Sequence, residues 1–203
     1  MGQRALAPPP RSHAEAYRHE LKYLISYADK AELAVRMAPG APPGPSREAG
    51  GYFIRSLYFD DYWNTAYAEK DAGVLLRKKY RVRIYHCSDR SIKLERKKKF
   101  GSWIYKEAAP LTRAEFERIL AGDYDFFAPQ PPPPVSGILY RVCQQCPPAP
   151  GHRGLRPGTL DFRCRHRAGH VRHGVRAAVG SWDIFDPTLP TLPVLEPGKL
   201  VLE

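Results

Sequence analysis

Residues 79–86, with the sequence KYRVRIYH, decide the fold of this chain. Charged and apolar side chains alternate through them, so that Lys79, Arg81 and Arg83 share one face and the other face is apolar. A period of two is typical of a β-strand, because successive side chains point to opposite faces. Three cations cannot lie in an apolar core, since unpaired buried charges are costly. The stretch therefore predicts a strand with one apolar and one basic face.

Two further strands follow the first one. Residues 91–99, SIKLERKKK, alternate again, with Glu95 and Lys97 on the charged face. A plausible turn then leads into 103–109, WIYKEAA, which carries Lys106. Three short alternating segments in succession indicate an antiparallel meander.

Other predicted elements surround this meander. The segment after it begins a helix at Thr112, because Thr112 and Glu115 form a capping box and Gly122 is a natural stop. The remaining expectations are a disordered tail over 1–15, a strand over 17–25, a helix over 29–38, a strand over 52–60, a polar connection over 61–74 and a turn followed by a strand within 194–203.

Composition limits the class of protein. The chain has 203 residues, of which 43% are hydrophobic and 26% charged, so we expect one globular domain over 16–203. The net charge of +11 predicts a polyanionic partner. We expect no membrane span and no secretory signal. Four cysteines do not make a disulfide framework, which favours the cytoplasm.

The basic strand faces indicate the ligand. If such strands close into a barrel with the charged faces inward, the lumen becomes a basic tunnel for a linear polyphosphate or a nucleoside triphosphate. Arginine supplies a planar fork of donors and lysine a point charge. Acids among the cations, such as Glu20 and Glu95, make sense if they hold a divalent metal that bridges phosphate oxygens.

The motifs resemble those of a known family. YRHELKYLI (17–25), IRSLYFDDYWNTAY (54–67), RKKYRVRIYH (77–86), IKLERKKK (92–99) and VLEPGKLVLE (194–203) are similar, in the same order, to the VTC-type polyphosphate polymerase domain. That family belongs to the triphosphate tunnel metalloenzymes. The resemblance implies an α+β fold, an antiparallel eight-stranded β-barrel tunnel with flanking helices. It implies a polyphosphate polymerase-type phosphotransferase that transfers the γ-phosphate of ATP to a polyphosphate chain with Mn²⁺ or Mg²⁺.

The resemblance also implies roles for individual residues. Arg81, Arg83 and Lys97 correspond to catalytic residues that stabilise the transferring phosphate. The phosphate-binding set is Lys22, Arg81, Arg83, Lys97 and Lys106. Glu203, on the family's metal-binding strand, and Glu20 are the implied metal ligands. Arg55 and Lys93 are weaker candidates for the same tunnel.

The chain departs from the family pattern after residue 141. The window 142–173 holds six arginines but one acid, Asp161, and shows no sustained period, so we expect it to be irregular. Translated in another frame, 144–164 can yield a family strand that is otherwise missing, which suggests a frameshift. The sequence also stops at Glu203, where the family continues with a strand and a helix, so we expect an incomplete tunnel.

Three other functions stay open. A non-catalytic module could bind polyphosphate or inositol phosphate, and a triphosphatase could use the same residues. A nucleic-acid binder could stack bases on Tyr80, Tyr85, Trp103 and Tyr105, although no sequence-specific recognition is expected. A zinc site could use ligands in the irregular window, namely Cys143, Cys146, Cys164, His166, His170 and His173.

Overall fold

The computed structural model describes residues 17–37, 52–123, 156–165, 171–178 and 181–203, with the backbone alone for 156–165 and Met37. The tail over 1–15 and most of the proposed zinc ligands lie outside this part of the chain. Within it the fold is α+β, with three helices and ten strands in one antiparallel sheet.

The elements follow each other along the chain. In order they are β1 (Arg18–His19), β2 (Tyr23–Ser26), α1 (Tyr27–Met37), β3 (Tyr52–Asp60), α2 (Thr65–Asp71), β4 (Leu76–Tyr85), β5 (Ser88–Phe100), β6 (Trp103–Leu111), α3 (Arg113–Leu120), β7 (Arg156–Arg165), β8 (Val171–Ala178), β9 (Leu192–Pro193) and β10 (Lys199–Leu202). The strand order in the sheet is β1-β6-β5-β4-β3-β7-β8-β10-β2, and β9 pairs with β8.

The predicted meander is confirmed as β4, β5 and β6. The turn between β4 and β5 places His86 and Cys87 at φ 52° and 54°, the left-handed region that a tight hairpin needs. Strands β5 and β6 pair antiparallel, with Glu95 opposite Ala108 and Lys97 opposite Lys106. This register places Glu95, Lys97 and Lys106 on one face.

Helix α3 begins where the sequence predicts. The Thr112 side chain accepts a hydrogen bond from the Glu115 N–H at 3.2 Å, and the Glu115 carboxylate accepts from the Thr112 N–H at 2.7 Å. This reciprocal capping box satisfies two donors that a helix start otherwise leaves unpaired. The helix buries Phe116 and Ile119.

Several sequence expectations need correction. The strand expected over 17–25 is two strands: β1 pairs with β6, whereas β2 pairs with β10. The connection over 61–74 contains α2, because the Asp60 carboxylate accepts backbone hydrogen bonds from Ala66 and Tyr67 and nucleates a turn. The window expected to be irregular contains β7 and the start of β8, so main-chain pairing forms there without a side-chain period. The frameshift hypothesis stays a prediction for resequencing.

Backbone contacts divide the chain into two compact units. In the described residues, the first unit comprises 17–20, 58–82, 91–123 and 156–158. The second comprises 21–37, 52–57, 83–90, 159–165, 171–178 and 181–203. Each buries its own apolar residues: Phe59, Val82, Leu94 and Phe116 in the first, and Leu57, Ile84, Ile184 and Leu200 in the second. The single domain over 16–203 stays a prediction.

Candidate functional site

The first unit contains a cluster of charged side chains centred on Glu95 of β5. This first ionic cluster consists of Arg81, Glu95, Lys106, Lys97 and Glu20. The Arg81 guanidinium grips the Glu95 carboxylate side-on: Nε lies 2.6 Å and Nη2 2.5 Å from the same oxygen, Oε2. Only 2% of the Glu95 side chain is exposed and 11% of that of Arg81. Paired burial of this kind lowers the cost of holding two charges away from water.

Tyr58 provides a second anchor for Arg81. The guanidinium donates from Nη1 to the phenol oxygen at 3.2 Å, and its carbon lies 5.9 Å from the centre of the ring. Burial disfavours the charge on Arg81, but Tyr58 and Glu95 outweigh that effect, and together they raise the pKa of Arg81. Arg81 is therefore a permanent cation with a fixed orientation.

Two lysines complete the first ionic cluster. Lys106 Nζ lies 3.4 Å from Glu95 Oε1, the oxygen that faces away from the Arg81 contact. Lys97 pairs with Glu20, and both side chains are mostly buried. Burial lowers the pKa of Lys97; the Glu20 carboxylate opposes this effect, and the charges of Lys79 and Arg81 add to it. The cations are thus close enough to repel one another.

The second unit contains its own cluster. The second ionic cluster consists of Lys22, Arg172 and Glu203, and the Glu203 carboxylate pairs with both cations. Strand β10, which Glu203 follows, lies between β8 and β2, so its end meets Arg172 from one side and Lys22 from the other. The side chains of Glu203 and Arg172 are 6% and 10% exposed, whereas that of Lys22 is 48% exposed.

Arg83 also belongs to the second unit. It is buried on β4, and its Nε lies 3.5 Å from Ser56 Oγ. It has the same parity on the strand as Arg81, as the alternation predicts.

Arg55 has a structural task. Its guanidinium is buried in the second unit and donates to three main-chain carbonyls, those of Ile184, Asp186 and Pro187. These contacts hold the connection between β8 and β9. The place of Arg55 in a tunnel stays a prediction.

The opposite face of the meander carries a separate ion pair. Arg96 and Glu107 face each other across β5 and β6, and 1% of the Arg96 side chain is exposed. The alternation of residues 91–99 places Arg96 on the apolar side of the strand, and this carboxylate explains how a cation is tolerated there.

Sequence reasoning and structure agree in part on the site. The predicted phosphate-binding and metal-ligating residues of the tunnel all lie in the described part of the chain. The first ionic cluster contains Arg81, Lys97, Lys106 and Glu20, and the second contains Lys22 and Glu203. Arg83 lies outside both clusters. Reasoning from the sequence missed Arg172, because it lies in the window expected to be irregular. It also missed Tyr58 as a partner of Arg81, a contact between strands that no local pattern reveals.

The predicted metal ligands Glu20 and Glu203 have suitable donor atoms for a divalent metal, but their positions in the structure do not suit one. Carboxylate oxygens suit Mn²⁺ and Mg²⁺, and Mg²⁺ commonly uses one or two carboxylates together with substrate phosphates. However, Glu20 and Glu203 each pair with cations, and the described residues hold no group of three or more His, Cys, Asp or Glu side chains suited to a metal ion. The carboxylates as arranged do not form a metal centre.

A cavity of about 290 Å³ lies elsewhere in the first unit. It is bordered by β3, α2 and β4, with Asp60, Glu69, Arg77 and Tyr80 among its lining residues. No member of the first ionic cluster lines it. Asp60 is already occupied by the backbone N–H groups of α2, so its role there is structural.

A family comparison adds to this geometry. The VTC domain family matches residues 17–139. The chain belongs to the VTC domain family. The match includes β1 to β6 and α3, and therefore both the first ionic cluster and Arg83. It ends just before the window rich in arginine and cysteine.

Comparisons with solved structures and with curated proteins do not assign a function. A crystal structure of a protein from Bacillus halodurans, described as a "putative adenylate cyclase", aligns with 83% of this chain and 75% of its own, at 15% identity and a TM-score of 0.45. No curated protein matches the chain. Among the described residues, no helix has the length and apolar character needed to cross a bilayer.

Proposed function

We propose that this VTC domain is a polyphosphate polymerase-type phosphotransferase that binds ATP or polyphosphate in a basic tunnel of eight antiparallel strands. The orientation of Arg81 is the observation that carries the proposal. Three of its five N–H donors serve Glu95 and Tyr58, and among the described residues each terminal nitrogen keeps one more for a ligand. Two such donors can bind two oxygens of one phosphate group.

The tunnel and the phosphate chain within it are proposed from the family. Membership of the VTC domain family supports the tunnel. In this proposal Lys22, Arg83, Lys97 and Lys106 bind successive phosphates, and Arg81, Arg83 and Lys97 stabilise the charge that develops during transfer. Phosphoryl transfer depends on positioning and charge stabilisation, so no protein nucleophile is required.

A divalent ion belongs to the proposal through Glu203 and Glu20. Glu203 and Glu20 would hold Mn²⁺ or Mg²⁺, and the ion would supply positive charge that offsets the charge of the phosphates. The residues of this chain would have to exchange partners first, because both carboxylates are engaged by cations. Phosphate oxygens are suitable new partners for Lys22, Arg172 and Lys97. A cytoplasmic location, where ATP is available, is part of the same proposal.

A non-catalytic module that binds polyphosphate is the second candidate. The observation that favours it is the pairing of both predicted metal ligands with cations. A nucleic-acid binder has less support, because Trp103 packs on His19 and Tyr105 on Tyr17, so these rings already have partners.

Incubation with ATP and Mn²⁺ distinguishes these functions when polyphosphate and inorganic phosphate are measured separately. A polymerase accumulates polyphosphate, and a triphosphatase releases inorganic phosphate alone. Binding of polyphosphate without turnover supports the second candidate. Tighter binding of oligonucleotides than of polyphosphate would contradict the polymerase, the triphosphatase and the polyphosphate-binding module.

A further inference from the structure

We propose that Glu95 is a positioning residue that makes the first ionic cluster selective for phosphate chains over other polyanions. The proposal rests on the proposed function above, because it concerns how the same cations recognise their ligand. A carboxylate among phosphate-binding cations weakens the attraction to any anion. Its presence at the centre of the cluster therefore needs a physical explanation other than charge.

The contacts of Glu95 supply that explanation. Its oxygen Oε2 holds Arg81 through Nε and Nη2, and its oxygen Oε1 holds the Lys106 ammonium. Since the two oxygens belong to one carboxylate, the two cations are kept close together. With 2% of its side chain exposed, Glu95 has little freedom to move.

Without this carboxylate the cations would separate. Lys79 and Arg81 both disfavour the charge on Lys97, though less than burial does, so the cations of this unit repel one another. Among the described residues, Arg81 would then keep its contacts with Tyr58, namely one hydrogen bond and the face of the ring. The guanidinium of Arg81 would then lose its fixed orientation.

Close spacing of the cations discriminates between ligands. Neighbouring phosphates in a chain share one bridging oxygen, so their charges lie close together and match cations held on a single carboxylate. Charges on an acidic peptide are carried by separate side chains, whose Cβ atoms are about 5–6 Å apart even at the favourable spacing of a helix. Glu95 therefore penalises both anions equally by charge, but supports only the phosphate chain by geometry.

Binding of inorganic tripolyphosphate and of an octa-aspartate peptide tests the proposal. Dissociation constants for both ligands are measured on the full chain and on Glu95→Gln. The preference is the dissociation constant of octa-aspartate divided by that of tripolyphosphate, and this ratio cancels the general gain in positive charge. We expect Glu95→Gln to lower the preference for tripolyphosphate about tenfold, through the lost charge-assisted hydrogen bonds, while octa-aspartate binds more tightly.

Glu107→Gln is the matched control. It removes one mostly buried carboxylate that pairs with an arginine on the same two strands, but on the opposite face. Its preference should equal that of the unaltered chain. If Glu95→Gln and Glu107→Gln show the same preference, Glu95 has no positioning role.

Two more variants keep the outcome interpretable. Glu95→Asp retains the charge but withdraws the carboxylate, so it should lower the preference even if Glu95→Gln fails to fold; an unchanged preference would overturn the proposal. Arg81→Ala tests the proposed function itself. If Arg81→Ala binds tripolyphosphate as tightly as the unaltered chain, the phosphate site is wrong; if it loses affinity while both Glu95 variants keep the full preference, only the positioning role is wrong.

Discussion

The two ionic clusters differ in how far along the chain their partners lie. In the first, Arg81 and Lys106 are 14 and 11 residues from Glu95, within one meander. In the second, Glu203 pairs with Lys22 over 181 residues and with Arg172 over 31. Local hairpins assemble the contacts of Glu95 in the first cluster, although its Lys97–Glu20 pair spans 77 residues. Both pairs of the second cluster join residues that are distant in the chain. Cations proposed to bind the same ligand are therefore positioned by different contacts, some between neighbouring strands and others between strands that are distant in the chain.

We expect the largest loss of ligand affinity when the two arginines of β4 are replaced. Arg81→Ala combined with Arg83→Ala should weaken tripolyphosphate binding about 100-fold, because two charge-assisted contacts with phosphate are lost. Calorimetric titration measures the affinity. The control is Arg113→Ala with Arg118→Ala, two exposed arginines of α3 that pair with acids. Equal affinity of the two double variants would show that β4 does not contact the ligand.

The next effect concerns the long-range contacts of the second unit. Arg55→Met removes the hydrogen bonds to three carbonyls around residues 184–187, and we expect the free energy of unfolding to fall by about 2 kcal/mol. Urea denaturation measures it. Arg36→Met makes the same exchange at an exposed arginine of α1 and should have little effect. If both variants unfold alike, Arg55 does not stabilise the second unit.

A smaller effect tests Glu203 as a metal ligand. Glu203→Gln should reduce the gain in tripolyphosphate affinity on adding Mn²⁺ about tenfold, because an oxygen ligand of the divalent ion is weakened. Without metal the same variant should bind more tightly, since Lys22 and Arg172 are released. Glu32→Gln, at an exposed glutamate of α1, is the control. An unchanged response to Mn²⁺ would remove Glu203 from the metal site.

The smallest effect is a pH dependence of the first cluster. Burial lowers the pKa of Lys97, so on raising the pH this lysine loses its proton earlier than an ordinary lysine, and one phosphate-binding charge disappears. As the pH rises, the affinity for long-chain polyphosphate should fall about threefold. This fall should occur at a pH lower than 10.5, the ordinary pKa of lysine.

Lys97→Arg should abolish this fall, because arginine keeps its proton. Lys70→Arg, on the exposed surface of α2, makes the same exchange outside the cluster and should retain it. An identical pH profile for Lys97→Arg and the unaltered chain would show that Lys97 does not carry the dependence.

These differences also explain what the sequence could predict. The period of two in residues 79–99 identified β4 and β5 and the shared face of Arg81, Glu95 and Lys97, because a strand fixes side-chain direction locally. The partners Tyr58 and Arg172 could not be predicted, since strand order and register set them. The interruption between β1 and β2 was hidden for the same reason, because both strands alternate in phase and only their different pairing partners separate them.

A crystal structure of the chain with bound tripolyphosphate tests the central claim most directly. We predict phosphate oxygens within about 3 Å of Nη1 and Nη2 of Arg81, the ordinary hydrogen-bond distance, with Glu95 still bound at Nε. Tripolyphosphate bound without contact to Arg81 would contradict the claim that the basic face of β4 holds the phosphate chain.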